Sequence, residues 1–129
     1  MEVLAAFSGV SVDKLADAEK FYAQVLGLKV ENNGMGLQIS LPHGGQMFVY
    51  EKADHEPASF TVLNFVVADI DKTVAELKDK GVKFEVYPNM HQDDSGVARG
   101  RAANIGPDIA WFKDPAGNIL SVLETGEAK

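Results

Sequence analysis

The chain repeats itself, and that repetition constrains its fold more than any other feature. A strand candidate spans residues 3 to 12 and ends in Val10-Ser11-Val12. From Lys14 the spacing turns helical. Leu15, Ala18, Tyr22 and Val25 recur at intervals of three and four, and Gly27 follows as a stop signal. Leu28 to Glu31 reads as a strand and Asn32-Asn33-Gly34 as a turn. Leu37 to Leu41 alternates, Pro42-His43-Gly44-Gly45 turns, and Met47 to Tyr50 returns. The second half has the same order. Thr61 to Val67 is a predicted strand, and Ile70, Val74 and Leu77 mark a helix stopped at Gly81. Val82 to Tyr87 is a further predicted strand. Ile109 to Phe112 and Ile119 to Leu123 flank the turn Asp114-Pro115-Ala116-Gly117-Asn118.

The halves superpose by number. A shift of 55 places Val12 on Val67 and Leu15 on Ile70; after the helix a shift of 54 places Gly27 on Gly81. Near the end a shift of 73 places Pro42 on Pro115, Gly44 on Gly117, Val49 on Val122 and Glu51 on Glu124. A period of about 60 residues with matched element order is a duplication. The growing shift requires an insertion in the second copy, between Pro88 and Pro107, where the sequence is polar and contains Gly. Loops of that length in compact domains are usually functional or disordered. The expected modules are residues 1–52 and 60–124, joined by 53–59 and forming one domain over 1–126.

Composition narrows the partners. Hydrophobic residues are 46% and charged residues 24%, enough apolar content for a packed core. The net charge of −7 disfavours nucleic acid and anionic membrane surfaces, which need clustered Lys and Arg. No Cys is present, so disulfides and thiolate chemistry are excluded. No run has the roughly 18 apolar residues of a membrane span, and a cytoplasmic location is expected.

Two stretches carry a specific likeness. Val10-Ser11-Val12 followed by Ala18-Glu19-Lys20-Phe21-Tyr22-Ala23-Gln24-Val25-Leu26-Gly27-Leu28 resembles the opening of the vicinal-oxygen-chelate superfamily, which includes glyoxalases, bleomycin-resistance proteins and extradiol dioxygenases. Ala110-Trp111-Phe112-Lys113-Asp114-Pro115-Ala116-Gly117-Asn118 is similar to a motif near that family's end. The resemblance covers nearly the whole chain. It implies an α+β fold of two tandem βαβββ modules, each a curled mixed sheet with a helix on its convex face and a ligand cleft on its concave face.

Strand parity then sorts the side chains. In Thr61 to Val67, Asn64 shares a face with Val62 and Val66. A buried Asn needs partners, so that face is assigned to the cleft and Leu63, Phe65 and Val67 to the helix side. A bulge at Gly117 would pair Asp114 with Asn118, Trp111 with Ser121 and Phe112 with Leu120. By the repeat, Gln38 pairs with Phe48. The expected cleft residues are Phe7, Ser11, Gln38, Phe48, Tyr50, Val62, Asn64, Trp111 and Ser121. His91 joins them if the insertion closes as a lid. Arg99 and Arg101 either meet an anionic ligand or pair with nearby Asp residues.

Metal-using relatives hold an ion with one residue from the first and last strand of each module. The resemblance places those positions at Phe7, Phe48, Val62 and Ser121. None of these is a ligand for a hard or borderline cation. No metal and no cofactor are therefore expected. Three functions stay open: metal-independent binding of a small hydrophobic or aromatic molecule; a lyase, isomerase or dioxygenase of the glyoxalase kind; and a structural module. A homodimer is the expected assembly.

Overall fold

The computed structural model describes residues 1–126. It comprises two compact units, Met1–Pro57 and a second beginning at Ala58, each built on its own four-stranded sheet.

In the first unit, β1 (Ser8–Val12) leads into α1 (Leu15–Lys20) and a π-helical turn (Phe21–Val25). Strands β2 (Lys29–Asn32), β3 (Leu37–Ser40) and β4 (Gln46–Glu51) follow, and the sheet order is β1-β4-β3-β2. The β1–β4 pair is parallel and the other two pairs are antiparallel. Alternation along the strands decides which face is core. Val12, Leu37, Ile39, Met47 and Val49 are fully buried, as are Ala18 and Tyr22 from the helical segment. Gln38 and Phe48, of opposite parity, pair with each other in the β3–β4 register. The helical segment widens where the spacing suggests a continuous α-helix. Leu26 N donates to Phe21 O at 3.0 Å, five residues back, and Leu28 N to Tyr22 O at 3.0 Å. Gly27, at φ 70°, then ends it in the left-handed conformation that glycine adopts without strain.

The strand expected over residues 3 to 12 forms only from Ser8. Its neighbour β4 starts at Gln46, and the register pairs Ser8 with Met47, so residues before Phe7 have no β4 partner. Met1, Val3, Leu4 and Phe7 are exposed.

In the second unit, β5 (Thr61–Val66), α2 (Ile70–Asp79), β6 (Ala98–Arg99), β7 (Asp108–Lys113) and β8 (Ile119–Glu124) give the sheet order β5-β8-β7-β6. Asp69 caps α2, its side chain accepting from Lys72 N at 3.1 Å. Ile70, Val74 and Leu77, spaced by four and three, are the buried stripe. The β7–β8 hairpin pairs Trp111 with Ser121 and Phe112 with Leu120. Its turn closes by Asp114 N to Asn118 O at 3.0 Å, and Asp114 Oδ1 accepts from the Ala116 and Asn118 amides at 2.9 Å each.

The predicted strand Val82 to Tyr87 is corrected by the structure. Only a bridge from Phe84 to Phe112 and a bond from Glu85 N to Trp111 O at 2.8 Å form there. The insertion returns to the same edge of β7, where Ala98 and Arg99 pair with Ile109 and Asp108. Two short segments thus share the edge that one strand occupies in the first unit. Gln92 ties them together: its Nε2 donates to Glu85 O at 2.8 Å and Gly96 O at 2.7 Å, and its Oε1 accepts from Tyr87 N at 2.7 Å. Among the described residues, no helix is long and apolar enough to cross a membrane.

Candidate functional site

Each unit carries its own aromatic cavity on the sheet face away from its helix-side core. In the first unit a cavity of about 290 Å³ is lined by Phe7, Asn33, Met35, Gln38, Gln46 and Phe48. Phe48 organises it. Phe7 meets that ring edge-on at 6.4 Å between centroids, and Tyr50 lies nearly parallel to it at 6.1 Å and 17°. Gly36 makes room for the ring, since a Cβ there would lie 2.6 Å from Phe48 Cζ and 2.5 Å from Val49 O. The polar groups are few. Gln38 Nε2 donates to Gln46 Oε1 at 2.5 Å, so the two amides form one hydrogen-bonded patch in the lining. Phe7 and Met35 stand at the rim, largely exposed.

In the second unit a cavity of about 310 Å³ is lined by Phe60, Thr61, Tyr87, Met90, Trp111 and Ile119, among others. Trp111 is buried, and the Tyr87 ring meets it edge-on at 5.5 Å and 78°. This pairing is favourable for aromatic quadrupoles. Tyr87 Oη is buried without a hydrogen-bond partner among the described residues. Burial, followed by the nearby Glu85 charge, raises its ionisation above the usual phenol value, so the hydroxyl stays neutral. Leaving such a group unpaired costs about 1–3 kcal/mol.

The predicted cleft residues divide. Phe7, Gln38 and Phe48 line the first cavity and Trp111 the second. Tyr50 stacks behind Phe48. Ser11 bonds His55 Nδ1 through Oγ at 2.6 Å. Val62 sits at a β-bulge: the register steps from Thr61–Ile119 directly to Leu63–Leu120. Asn64 is exposed rather than buried, so burial cannot be the reason for its place. It pairs with the fully buried Ser121, whose Oγ donates to Asn64 Oδ1 at 2.5 Å. Asn64, Ser121 and Trp111 therefore form one row across β5, β8 and β7. His91 is exposed, at φ 50°, and is not among the residues lining either cavity. Arg99 takes the pairing option. It binds Asp71 at 2.6 Å and Asp93 at 2.9 Å, while Arg101 pairs with Glu124.

Sequence reasoning missed Met35, Phe60, Tyr87 and Met90. Three of these lie in or beside turns, where periodicity carries no facing information. Tyr87 falls in the predicted strand Val82 to Tyr87, which does not form.

The four positions where relatives hold an ion are not suited to one here. Phe7, Phe48 and Val62 have no donor atom, and the Ser121 hydroxyl is engaged by Asn64. No group of three or more His, Asp and Glu converges among the described residues.

Comparison with known proteins places this geometry. No curated protein matches the chain. Among solved structures, TnmS3, an antibiotic binding protein from Streptomyces sp. CB03234, superposes with a TM-score of 0.68 at 19% identity, covering 98% of this chain and 99% of that one. A member of the glyoxalase/bleomycin resistance protein/dioxygenase superfamily from Sphaerobacter thermophilus DSM 20745 gives 0.66 at 21% identity, covering 95% and 98%. The oxidase ChaP-H2 gives 0.65 at 15% identity, covering 98% of each. At these identities the likeness establishes the fold, two mixed sheets that do not close, and not the activity. The family model adds a sequence match over residues 4–122, spanning both units and all eight strands but for the last two residues of β8. The chain therefore belongs to the Glyoxalase/Bleomycin resistance protein/Dioxygenase superfamily.

Proposed function

We propose that this protein binds a small hydrophobic or aromatic molecule without the help of a metal ion. The observation that carries this reading is the lining of the two cavities: aromatic and thioether side chains dominate, with a few polar groups at fixed points. Such linings suit apolar ligands oriented by one or two hydrogen bonds. The antibiotic-binding role named for TnmS3 is consistent with it. An enzyme of the lyase, isomerase or dioxygenase kind is the alternative, favoured by the likeness to an oxidase. The ion-holding positions, filled by Phe7, Phe48, Val62 and Ser121, count against the metal-dependent version.

Residues 1–52 and 60–124 are proposed to work as one ligand-binding domain over 1–126. Two copies are proposed to associate in the cytoplasm. Exposed apolar side chains such as Leu4, Phe7 and Phe60 support association, and light scattering giving the mass of one chain at micromolar concentration would refute it. The binding reading is tested by a thermal-shift screen of planar aromatic compounds on chelator-dialysed protein. Stabilisation by members of that set supports it. Stabilisation by divalent metals alone would overturn it.

A further inference from the structure

We infer that Tyr87 is the polar recognition element of the second unit's cavity, which takes a flat, apolar, uncharged ring system bearing one hydrogen-bond acceptor, such as an aromatic ketone. The inference rests on the small-molecule reading above and adds the chemistry of the ligand. Trp111, Phe60, Met90 and Ile119 give the cavity apolar walls, two of them aromatic. Flat rings gain most from such walls, through stacked and edge-on contacts. Within this lining Tyr87 Oη is the buried polar atom that no described residue satisfies. A phenol that keeps its proton has that proton to give. A ligand offering only donors would leave it unpaired, whereas a carbonyl oxygen takes it up.

Charge selects the kind of acceptor. No lysine or arginine is among the described residues lining the cavity. A carboxylate or phosphate on the ligand would be buried against these apolar walls without a cation to pair with; a neutral carbonyl carries no such cost. The backbone holds Tyr87 in place. Gln92 Oε1 accepts from Tyr87 N at 2.7 Å, and Met90 N donates to Tyr87 O at 3.2 Å. Tyr87 and Met90 are thus the two ends of one turn, Tyr87–Met90, and form one wall. Because the hydroxyl is buried, the ligand's acceptor reaches it only if that turn gives, against both of these bonds.

Trp111 is the chain's single Trp, so its emission reports this cavity. The probes are 9-fluorenone and fluorene, which share a tricyclic skeleton and differ by one carbonyl. Both are expected to change Trp111 emission saturably. Tyr87→Phe is expected to weaken 9-fluorenone binding about five-fold, the value of one neutral hydrogen bond, and to leave fluorene binding unchanged. The same variant is expected to raise the melting temperature of the unliganded protein, because it deletes a buried hydroxyl that has no partner. If both probes bind and Tyr87→Phe changes neither affinity, the binding reading stands and the role of Tyr87 is overturned. If neither probe binds, the cavity is not a ligand site and the inference falls. A lower melting temperature for Tyr87→Phe would show that the hydroxyl is already satisfied, which also overturns it.

Discussion

Glu124, at the end of β8, accepts a hydrogen bond from the Ile70 amide at the start of α2, at 2.9 Å. Glu51, at the end of β4, does the same for the Leu15 amide of α1, also at 2.9 Å. The two carboxylates correspond under the sequence repeat, and so do the two amides. Each satisfies an amide that has no partner within its helix and places negative charge at the helix's positive end. The duplication thus repeats a device as well as an element order: the last strand of each unit caps that unit's helix. Glu124→Ala is expected to cost about 1 kcal/mol of stability through the lost cap, and somewhat more through the Arg101 ion pair it also removes. Glu124→Gln, which keeps the acceptor, should recover part of that in urea denaturation.

Gly36→Ala tests the aromatic floor of the first cavity. A Cβ there would meet Val49 O at 2.5 Å and Phe48 Cζ at 2.6 Å, and the backbone oxygen cannot give way as a side chain can. Overpacking of this kind costs about 1–3 kcal/mol. A lower urea midpoint is expected, together with shifted Phe48 and Tyr50 ring resonances by NMR, since those rings stack on each other.

Gln92→Ala tests the wall of the second cavity. The substitution removes the acceptor for Tyr87 N and the donors to Glu85 O and Gly96 O. Faster amide exchange at Tyr87 is expected, with a red shift of Trp111 emission as the Tyr87 ring leaves its edge-on contact. Each lost bond is worth about 1 kcal/mol.

Acid should loosen the insertion before the sheet. Burial pushes the Asp93 carboxyl up, but hydrogen bonds from Ser95 and Val97 and the Arg99 guanidinium outweigh it and hold the group well below the usual carboxylate range. The Arg99 hydrogen bond also lowers Asp71. A carboxyl depressed by folding contributes stability above its unfolded value, near pH 4, and loses it as the pH falls through the folded value. Protection of the Ser95 and Val97 amides is therefore expected to hold from neutrality to about pH 4 and to decay below it. Arg99→Ala should move that decay upward. These pairs are partly exposed, so screening limits their combined effect to about 1 kcal/mol.

Much of this architecture is legible in the sequence because it rests on local chemistry. The Asp114–Asn118 turn follows from an Asp that bonds the backbone two and four residues on, with Gly117 at φ 88°. That turn fixes the Trp111–Ser121 register, and the repeat transfers it to Gln38 and Phe48. The misreadings arise where distant segments compete. Nothing within Val82 to Tyr87 indicates that Ala98 and Arg99 take half of the same edge. The bulge at Val62 depends on how β5 meets β8, which periodicity within β5 does not encode. The place of Tyr87 is hidden for the first of these reasons: read as a strand residue, it has no cavity to face.

The central claim, binding of an apolar aromatic molecule without a metal, is tested most directly by calorimetric titration of 9-fluorenone into protein dialysed against a chelator. A parallel titration uses protein resupplied with Zn, Ni or Mn. The account predicts the same affinity and stoichiometry in both, because Phe7, Phe48 and Val62 carry no ligand atom and Ser121 is held by Asn64. Binding that is absent after dialysis and returns with the metal would contradict it.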